Sequence, residues 1–501
     1  MEAPQSIFRD LANYLSGRVF LLILGFASFP LLTRMLTVPE YGVVSLVLRV
    51  VLVLTVLSKC GFQYSVNRFY HETVSEGSPA AYRRYYSTLI FSPMIIAALV
   101  VVLYVAILLL TFRHIQDSLL RWGLLLAPAL VLLRVLQSLL LGFLRNEGRS
   151  RLHSILEVST KALTLAALIC LFVSPYHGAI SFLAASTGSE ACIVFLQLRL
   201  LARRNVLHWR HIDWSLTRIS VAFGAPLIAY EFASVVLDSG DRFLVQHFLG
   251  STQLGYYSAA YNIGSYFQDT VMVPLNLALL PIYMKLWTHE GPEPTQRFIS
   301  NALTWFLVAT SLLTCLTLLC SRDVIILLAS RRYLEAYHLL PIIIPSLMLY
   351  ATHIFLNPGM IITKRTGLMA RLVVVSAVSN IVLNVILIPR FGTVGAAYAT
   401  LISYGLLIVP MAWINQRILP LQPGWQLVAC SWIAAAVAWF AVRHINIGVV
   451  VLSLGVRFAL GSACFACTLL ALSGRARELL TIARLRLVAR STTAIGVEAP
   501  L

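Results

Sequence analysis

The chain is a succession of long apolar runs separated by short polar stretches, and that alternation limits what it can fold into. The runs lie near 11–33, 41–60, 85–111, 118–143, 153–173 and 178–202, and resume after RRNVLHWRHIDW near 217–238, 251–281, 298–321, 338–360, 369–388 and 393–415. Two more follow near 425–442 and 448–472. A helix needs about 20 predominantly apolar residues to cross a hydrocarbon core roughly 30 Å thick. Barrel strands would be about ten residues long and alternate in polarity. Of the 501 residues, 59% are hydrophobic and 12% charged, against roughly 45–50% and 25% in soluble domains. The expectation is an all-α polytopic membrane protein with about 14 transmembrane helices.

The formal net charge of +18 does not point to nucleic acid, because the basic residues sit in short loops rather than on a stripe with interleaved aromatics. Placing the N-terminus inside assigns 24 Lys and Arg to inner loops and 9, Arg242 among them, to outer loops. This asymmetry predicts both termini in the cytoplasm and an even helix number. The tail 475–501 reads as a basic amphipathic helix on the anionic inner leaflet. The first apolar run is long and lacks an obvious cleavage site, so it reads as a spanning helix. The eight cysteines lie mostly within apolar segments, against a disulfide framework, and Cys464 and Cys467 read as small packing residues.

The chain also repeats itself. MLTVPEYGVVS (35–45) matches FLGSTQLGYYS (248–258), placing Leu36, Gly42 and Ser45 on Leu249, Gly255 and Ser258. HGAISFLAAS (177–186) matches VGAAYATLIS (394–403), placing Gly178 and Ser186 on Gly395 and Ser403. Units of six helices, an even number, imply a parallel repeat about an axis along the membrane normal. The expected division is an N-terminal lobe (1–206, helices 1–6), a C-terminal lobe (207–420, helices 7–12), helices 13–14 (421–474) outside the repeat, and the tail. Two six-helix lobes suggest a transporter with its path between them.

None of the four lysines follows a glycine, so there is no phosphate loop, and there is no H-E-x-x-H or G-x-S-x-G. The chain reads as a non-enzyme with no cofactor. What remains are ionisable residues at membrane depth, each marking a pathway or a pair: Arg18, Arg49, Arg134, Lys161, Glu157 and Glu190 in the first half, and Glu231, Asp269, His353 and, outside the repeat, Arg457 later. Glu157 and Lys161, four apart, are expected to neutralise each other. Arg49, near the middle of helix 2, is too deep to snorkel easily and is expected to line a hydrated cavity. The basic set Arg49, Arg18, Arg134 and Lys161 suits an anionic, phosphate-bearing substrate. Glu231, Asp269 and Glu190 are candidates for coupling H⁺ or Na⁺.

FPLLTRMLTVPEYGVVSLVLRVVLVLTVLSKCGFQYSVNRFY resembles the opening of bacterial polysaccharide (Wzx-type) flippases of the multidrug/oligosaccharidyl-lipid/polysaccharide exporter superfamily. L-x-x-x-E-Y-G carries the likeness, followed by Gly61 and Arg68 after helix 2. LDSGDRFLVQHFLGSTQLGYYSAAYNIG and LNVILIPRFGTVGAAYATLISYG are similar to the family's second-half segments. The resemblance implies fourteen helices, two rocking lobes, and an undecaprenyl-pyrophosphate-linked oligosaccharide moved outward across a bacterial cytoplasmic membrane. Membrane lipid and the lipid-linked oligosaccharide would be its partners, with a polysaccharide polymerase and chain-length proteins nearby. Arg18 and Arg49 occupy places broadly similar to cavity arginines of the related lipid II flippases.

Two alternatives stand beside this reading. A cation-coupled multidrug exporter of the same superfamily usually has twelve helices. A membrane-embedded glycosyltransferase or polymerase tends to carry a large periplasmic loop, whereas the longest outer loop here, near 322–337, is short.

Overall fold

The computed structural model describes residues 4–175, 178–204, 206–445, 447–474 and 476–477. The basic tail expected over 475–501 lies almost wholly outside these residues. Among the described residues the regular structure is helical: α1 Pro4–Met35, α2 Val38–Lys59, α3 Phe62–Glu76, α4 Pro79–Thr111, α5 Ser118–Asn146, α6 Ser150–Val173, α7 Ala179–Ala202, α8 Trp214–His289, α9 Pro292–Leu328, α10 Leu340–Ala351, α11 His353–Ile362, α12 Thr366–Ile418, α13 Trp425–Val442 and α14 Val450–Leu472. Short 3-10 turns lie at Trp209–His211 and Arg331–His338.

Twelve continuous segments are long and apolar enough to span, with α2 and α3 counted as one and α10 and α11 as another. Two of the twelve are double. A straight helix the length of α8 would run about 114 Å, several times a bilayer core. The chain leaves helical geometry at Gly250 (φ 79°, ψ 179°). This positive φ is open to glycine and strained for other residues. α12 breaks in the same way at Gly392 (φ 60°, ψ −143°). Each break divides a long helix into two antiparallel limbs, so the described residues hold fourteen spans. One boundary differs from the sequence reading. The first limb of α8 runs on through 239–249, so Arg242 lies not in an outer loop but inside a span, fully buried.

Outward faces are apolar. Leu99, Val102, Leu103 and Leu110 on α4, and Val375, Val378 and Val382 on α12, are all more than half exposed. In water such stripes would be an aggregation hazard, whereas in a bilayer they meet lipid. The eight cysteines are free.

The first six spans meet the next six chiefly through α2 and α8. The repeated sequence motif sits at this junction. A Cβ on Gly42 would collide with the Ser251 carbonyl, and one on Gly255 with the Val38 carbonyl. Glycine at both positions therefore lets two helix starts approach backbone to backbone. At the other end of α2, Cys60 (φ 45°) and Gly61 (φ 75°) turn the chain into α3, and Gly61 lies against Gly224.

Thr37 caps α2 through a box with Glu40, whose carboxylate accepts from the Thr37 N–H and Oγ1–H at 2.8 Å. Tyr333, fully buried in the 331–338 turn, packs edge-on against Tyr41, and the Asn262 amide donates to the Tyr41 hydroxyl. The Gly42 end of the junction is thereby sealed with aromatic groups.

α13 and α14 pack on α9 and on each other. Arg457 of α14 fastens them, donating to Asp323 (3.3 Å) and to the Leu319 and Ile445 carbonyls. Its charge at membrane depth therefore ties the last two spans to α9.

Gly42→Leu overpacks a contact made of backbone, with nothing flexible to yield. It is expected to cost about 1–3 kcal/mol, read as a lower unfolding temperature in detergent. Leucine at Gly188, which has nothing within 4 Å of its Cβ position, is the control and should leave that temperature unchanged.

Candidate transport site

The charged side chains at membrane depth fall into three sets. The first lies within the first six spans. Arg134 Nε of α5 donates to both oxygens of Glu190 on α7, at 3.0 and 3.3 Å, and Gln137 reaches Thr160 of α6 at 2.8 Å. Glu157 pairs with Arg18 at 3.5 Å. The expected Glu157–Lys161 pair does not form, because α1 packs so tightly on α6 that the Gly17 Cβ position falls against Ser154. That contact brings Arg18 alongside Glu157. Lys161 stands exposed and makes no ion pair among the described residues, with Arg134, Glu190 and Glu157 as its electrostatic neighbours.

The second set bridges the first six spans and the first limb of α8, which runs antiparallel to α2. Arg49 Nη1 donates to Asp238 (3.2 Å) and Ser239 (3.1 Å). Its Nε and Nη2 make no hydrogen bond among the described residues. Asp238 is 45% exposed and Arg49 22%. Two turns along the same interface, Lys59 meets Glu231 at 3.0 Å and Gln63 donates to the other Glu231 oxygen. Arg68 continues the contact by stacking on Phe223. An exposed charge facing hydrocarbon costs several kcal/mol, so the open faces of Arg49 and Asp238 mark a hydrated space beside the seam.

The third set is buried in the next six spans. Arg242 donates to the Asp238 carbonyl (2.8 Å), lies 3.5 Å from Asp241 and stacks over the Tyr261 ring at 4.0 Å. Asp241 accepts from the Arg242 N–H, the Tyr257 hydroxyl and Thr400. Both residues are wholly buried. His353, a further titratable candidate, stacks on Tyr350 and sets Nδ1 2.6 Å from that residue's carbonyl.

The opposite seam, between α1 and the second limb of α8, is different. Gly25, Phe26 and Phe29 pack on Tyr266, whose hydroxyl donates to the Gly25 carbonyl. Beyond Tyr266 the two helices part. Arg18, Val19 and Phe20 are exposed, Asp269 is exposed and without an ion pair among the described residues, and the limb beyond it is open at Pro274, Asn276 and Ala278. One seam is therefore closed along its length and the other only at the Gly42 end.

Of the residues singled out in the sequence, Arg49, Arg18 and Asp269 come to the partly open space, Arg134 and Glu190 satisfy each other, and Glu231 is held by Lys59. Asp238, Asp241 and Lys59 were missed. Asp241–Arg242 was visible as an adjacent Asp-Arg pair, but Ser239 and Gly240 before it made the stretch look like a loop.

Removing the buried guanidinium in Arg242→Met leaves Asp241 unpaired, and a loss of about 3–5 kcal/mol is expected, read as depletion of protein from the membrane. Adding Asp241→Asn should restore much of it.

A sequence profile for a family described as polysaccharide biosynthesis protein matches residues 7–287. A Haloferax volcanii protein named probable low-salt glycan biosynthesis flippase Agl15 is 26% identical over 211 residues. That match covers 39% of this chain and 44% of the relative, so it spans less than half of the relative's length. Among solved structures, the lipid II flippase MurJ in an inward closed conformation superposes with a TM-score of 0.68, covering 92% of this chain and 98% of that one at 12% identity. An inward-facing multidrug resistance MATE family transporter of the MOP superfamily gives 0.62, covering 80% and 95%, also at 12% identity. At these identities the likeness is one of fold.

Proposed function

The chain belongs to the polysaccharide biosynthesis protein family, and from that premise we propose that it flips an undecaprenyl-pyrophosphate-linked oligosaccharide from the inner to the outer leaflet of a bacterial cytoplasmic membrane. It serves surface polysaccharide synthesis, catalyses no reaction of its own, and has both termini in the cytoplasm. A polymerase and chain-length proteins act on what it delivers.

The observation that carries this reading is the half-open seam between α1 and the second limb of α8. A lipid-linked sugar has a polar head that must travel in water and a tail that cannot leave the hydrocarbon. A seam open toward lipid, beside a hydrated space, accommodates both. The free Nε and Nη2 of Arg49 present a planar fork for a pyrophosphate oxygen pair, and Arg18 flanks the opening. A drug exporter would need the hydrated space but not the lateral opening.

Closing the parted seam requires α1 to swing toward the second limb. Continuing the antiparallel register set by Gly25 and Tyr266 brings Arg18 level with Val273, about one turn from Asp269, whose carboxylate already feels the Arg18 charge. Arg18 then exchanges Glu157 for Asp269. Among the carboxylates proposed to couple H⁺ or Na⁺, Asp269 is the best placed, because Glu231 and Glu190 each already hold a basic partner.

Deleting the gene is expected to abolish one surface glycan and to leave its lipid-linked precursor on the inner leaflet. Arg49→Lys should retain partial glycan output, and Arg49→Gln should lose most of it at normal membrane abundance, since Asp238 remains half-hydrated. Full glycan output from Arg49→Gln would remove Arg49 from substrate binding.

Asp269→Asn is expected to uncouple transport, so that collapsing the proton or sodium gradient no longer slows precursor movement in inverted vesicles. An unchanged response to collapse would exclude Asp269 as the coupling group.

A further inference from the structure

Away from both seams, α5, α6 and α7 leave a pocket between the ends that carry Asn146, Ser150 and Ala202. None of its lining residues belongs to α1, α2 or α8. Its wall is apolar, formed by Leu140, Phe143, Leu152, Leu156 and Leu201 among others. Gln197 also lines it, with 4% of its surface exposed and neither amide atom hydrogen-bonded among the described residues. A dry amide without a partner is unfavourable, and this wall offers it none.

The mouth has the opposite chemistry. Arg149 and Arg204 share the single carboxylate of Glu147, at 3.8 and 2.6 Å, and that carboxylate also accepts from the Tyr86 hydroxyl. Arg149 is half exposed. Across 145–151 and 199–204 there are six arginines, and Glu147 is the one acid.

Depth orders these features. Gln197 is seven residues from Arg204 along α7, and Leu156 seven from Arg149 along α6, about 10 Å in each case. From mouth to floor the pocket offers guanidinium groups, an apolar wall and an amide with spare hydrogen-bonding capacity. A phospholipid with its head at the interface presents phosphate, ester and hydrocarbon in the matching direction.

We infer that this pocket binds an anionic phospholipid of the leaflet that the arginines face. The cavity is only about 30 Å³, so the phosphate lies at Arg149 and Arg204, an ester carbonyl accepts from Gln197 Nε2, and the acyl chains stay outside, along the exposed face of Leu200. Phosphate alone would satisfy the mouth and leave the amide unused. The site is separate from the transport path, so it stands or falls apart from the flippase reading.

The full chain in phosphatidylcholine nanodiscs, titrated with phosphatidylglycerol, tests this by native mass spectrometry of retained lipid. Wild type is expected to prefer the anionic lipid about tenfold, the effect of roughly 1.4 kcal/mol. Arg149→Ala with Arg204→Ala should bring the preference close to parity. Gln197→Leu should lower retention about threefold while keeping the preference for the anion. Millimolar inorganic phosphate should not displace the lipid. Should the double variant fail to accumulate, Arg149→Gln alone changes an exposed residue and is expected to reduce the preference about threefold. Equal preference in wild type and the arginine variants overturns the inference. So does displacement by phosphate, which would make the mouth an anion site without a lipid.

Discussion

A charge facing hydrocarbon has neither water nor counter-ion, and the arrangement of this protein follows from where each such charge finds a partner. Within the first six spans, Arg134 is answered by Glu190. Within the next six, Arg242 is answered by Asp241 and by the face of Tyr261. Arg457 and Asp323 tie the last two spans to α9. These pairs are internal to a group of helices, and breaking the wholly buried Arg242–Asp241 pair leaves an uncompensated charge in a dry interior. Arg49–Asp238 and Lys59–Glu231 instead cross from one group to the next, and Asp238 is 45% exposed. Hydration at Asp238 lowers the cost of separating it from Arg49, so the seam can part there more easily than the buried pair can.

The spans were legible because the requirement that produces them is local. Some twenty apolar residues in a row suffice to cross a bilayer, whatever the rest of the chain does. The repeated glycine motif was legible for a related reason. Gly42 and Gly255 meet backbone to backbone where the helix groups join, and that contact admits no side chain. The stretch between Asp238 and Gly250 was misread because its charges look like a loop. Arg242 sits inside a helix because Tyr257, Tyr261 and Thr400, drawn from two further spans, enclose the Asp-Arg pair. No window of sequence displays that enclosure.

Pairings were the least legible part. Spacing along one helix suggested Glu157 with Lys161, and a tight α1–α6 contact gave Glu157 to Arg18 instead. Lys59 and Glu231 are 172 residues apart, and Arg49 and Asp238 are 189 apart. Which of several deep arginines meets which carboxylate is decided by helix packing over that distance. Composition reveals only that such groups exist and must be accommodated.

The two seams carry related chemistry in opposite sense. At the repeat offset of 213 residues, Arg18 on α1 corresponds to Glu231 on the first limb of α8. In the closed seam that position is acidic and meets a base on α2. In the parted seam it is basic, and the carboxylate of the second limb, Asp269, lies about one turn from its level. Arg18 now rests on Glu157 at 3.5 Å with half its side chain exposed. Moving it to Asp269 trades one hydrated ion pair for another, each worth about 0–1 kcal/mol. The two arrangements therefore differ by little in electrostatic energy. A bulky polar head lodged between α1 and the second limb would be enough to hold the seam apart, and its departure would let the seam close.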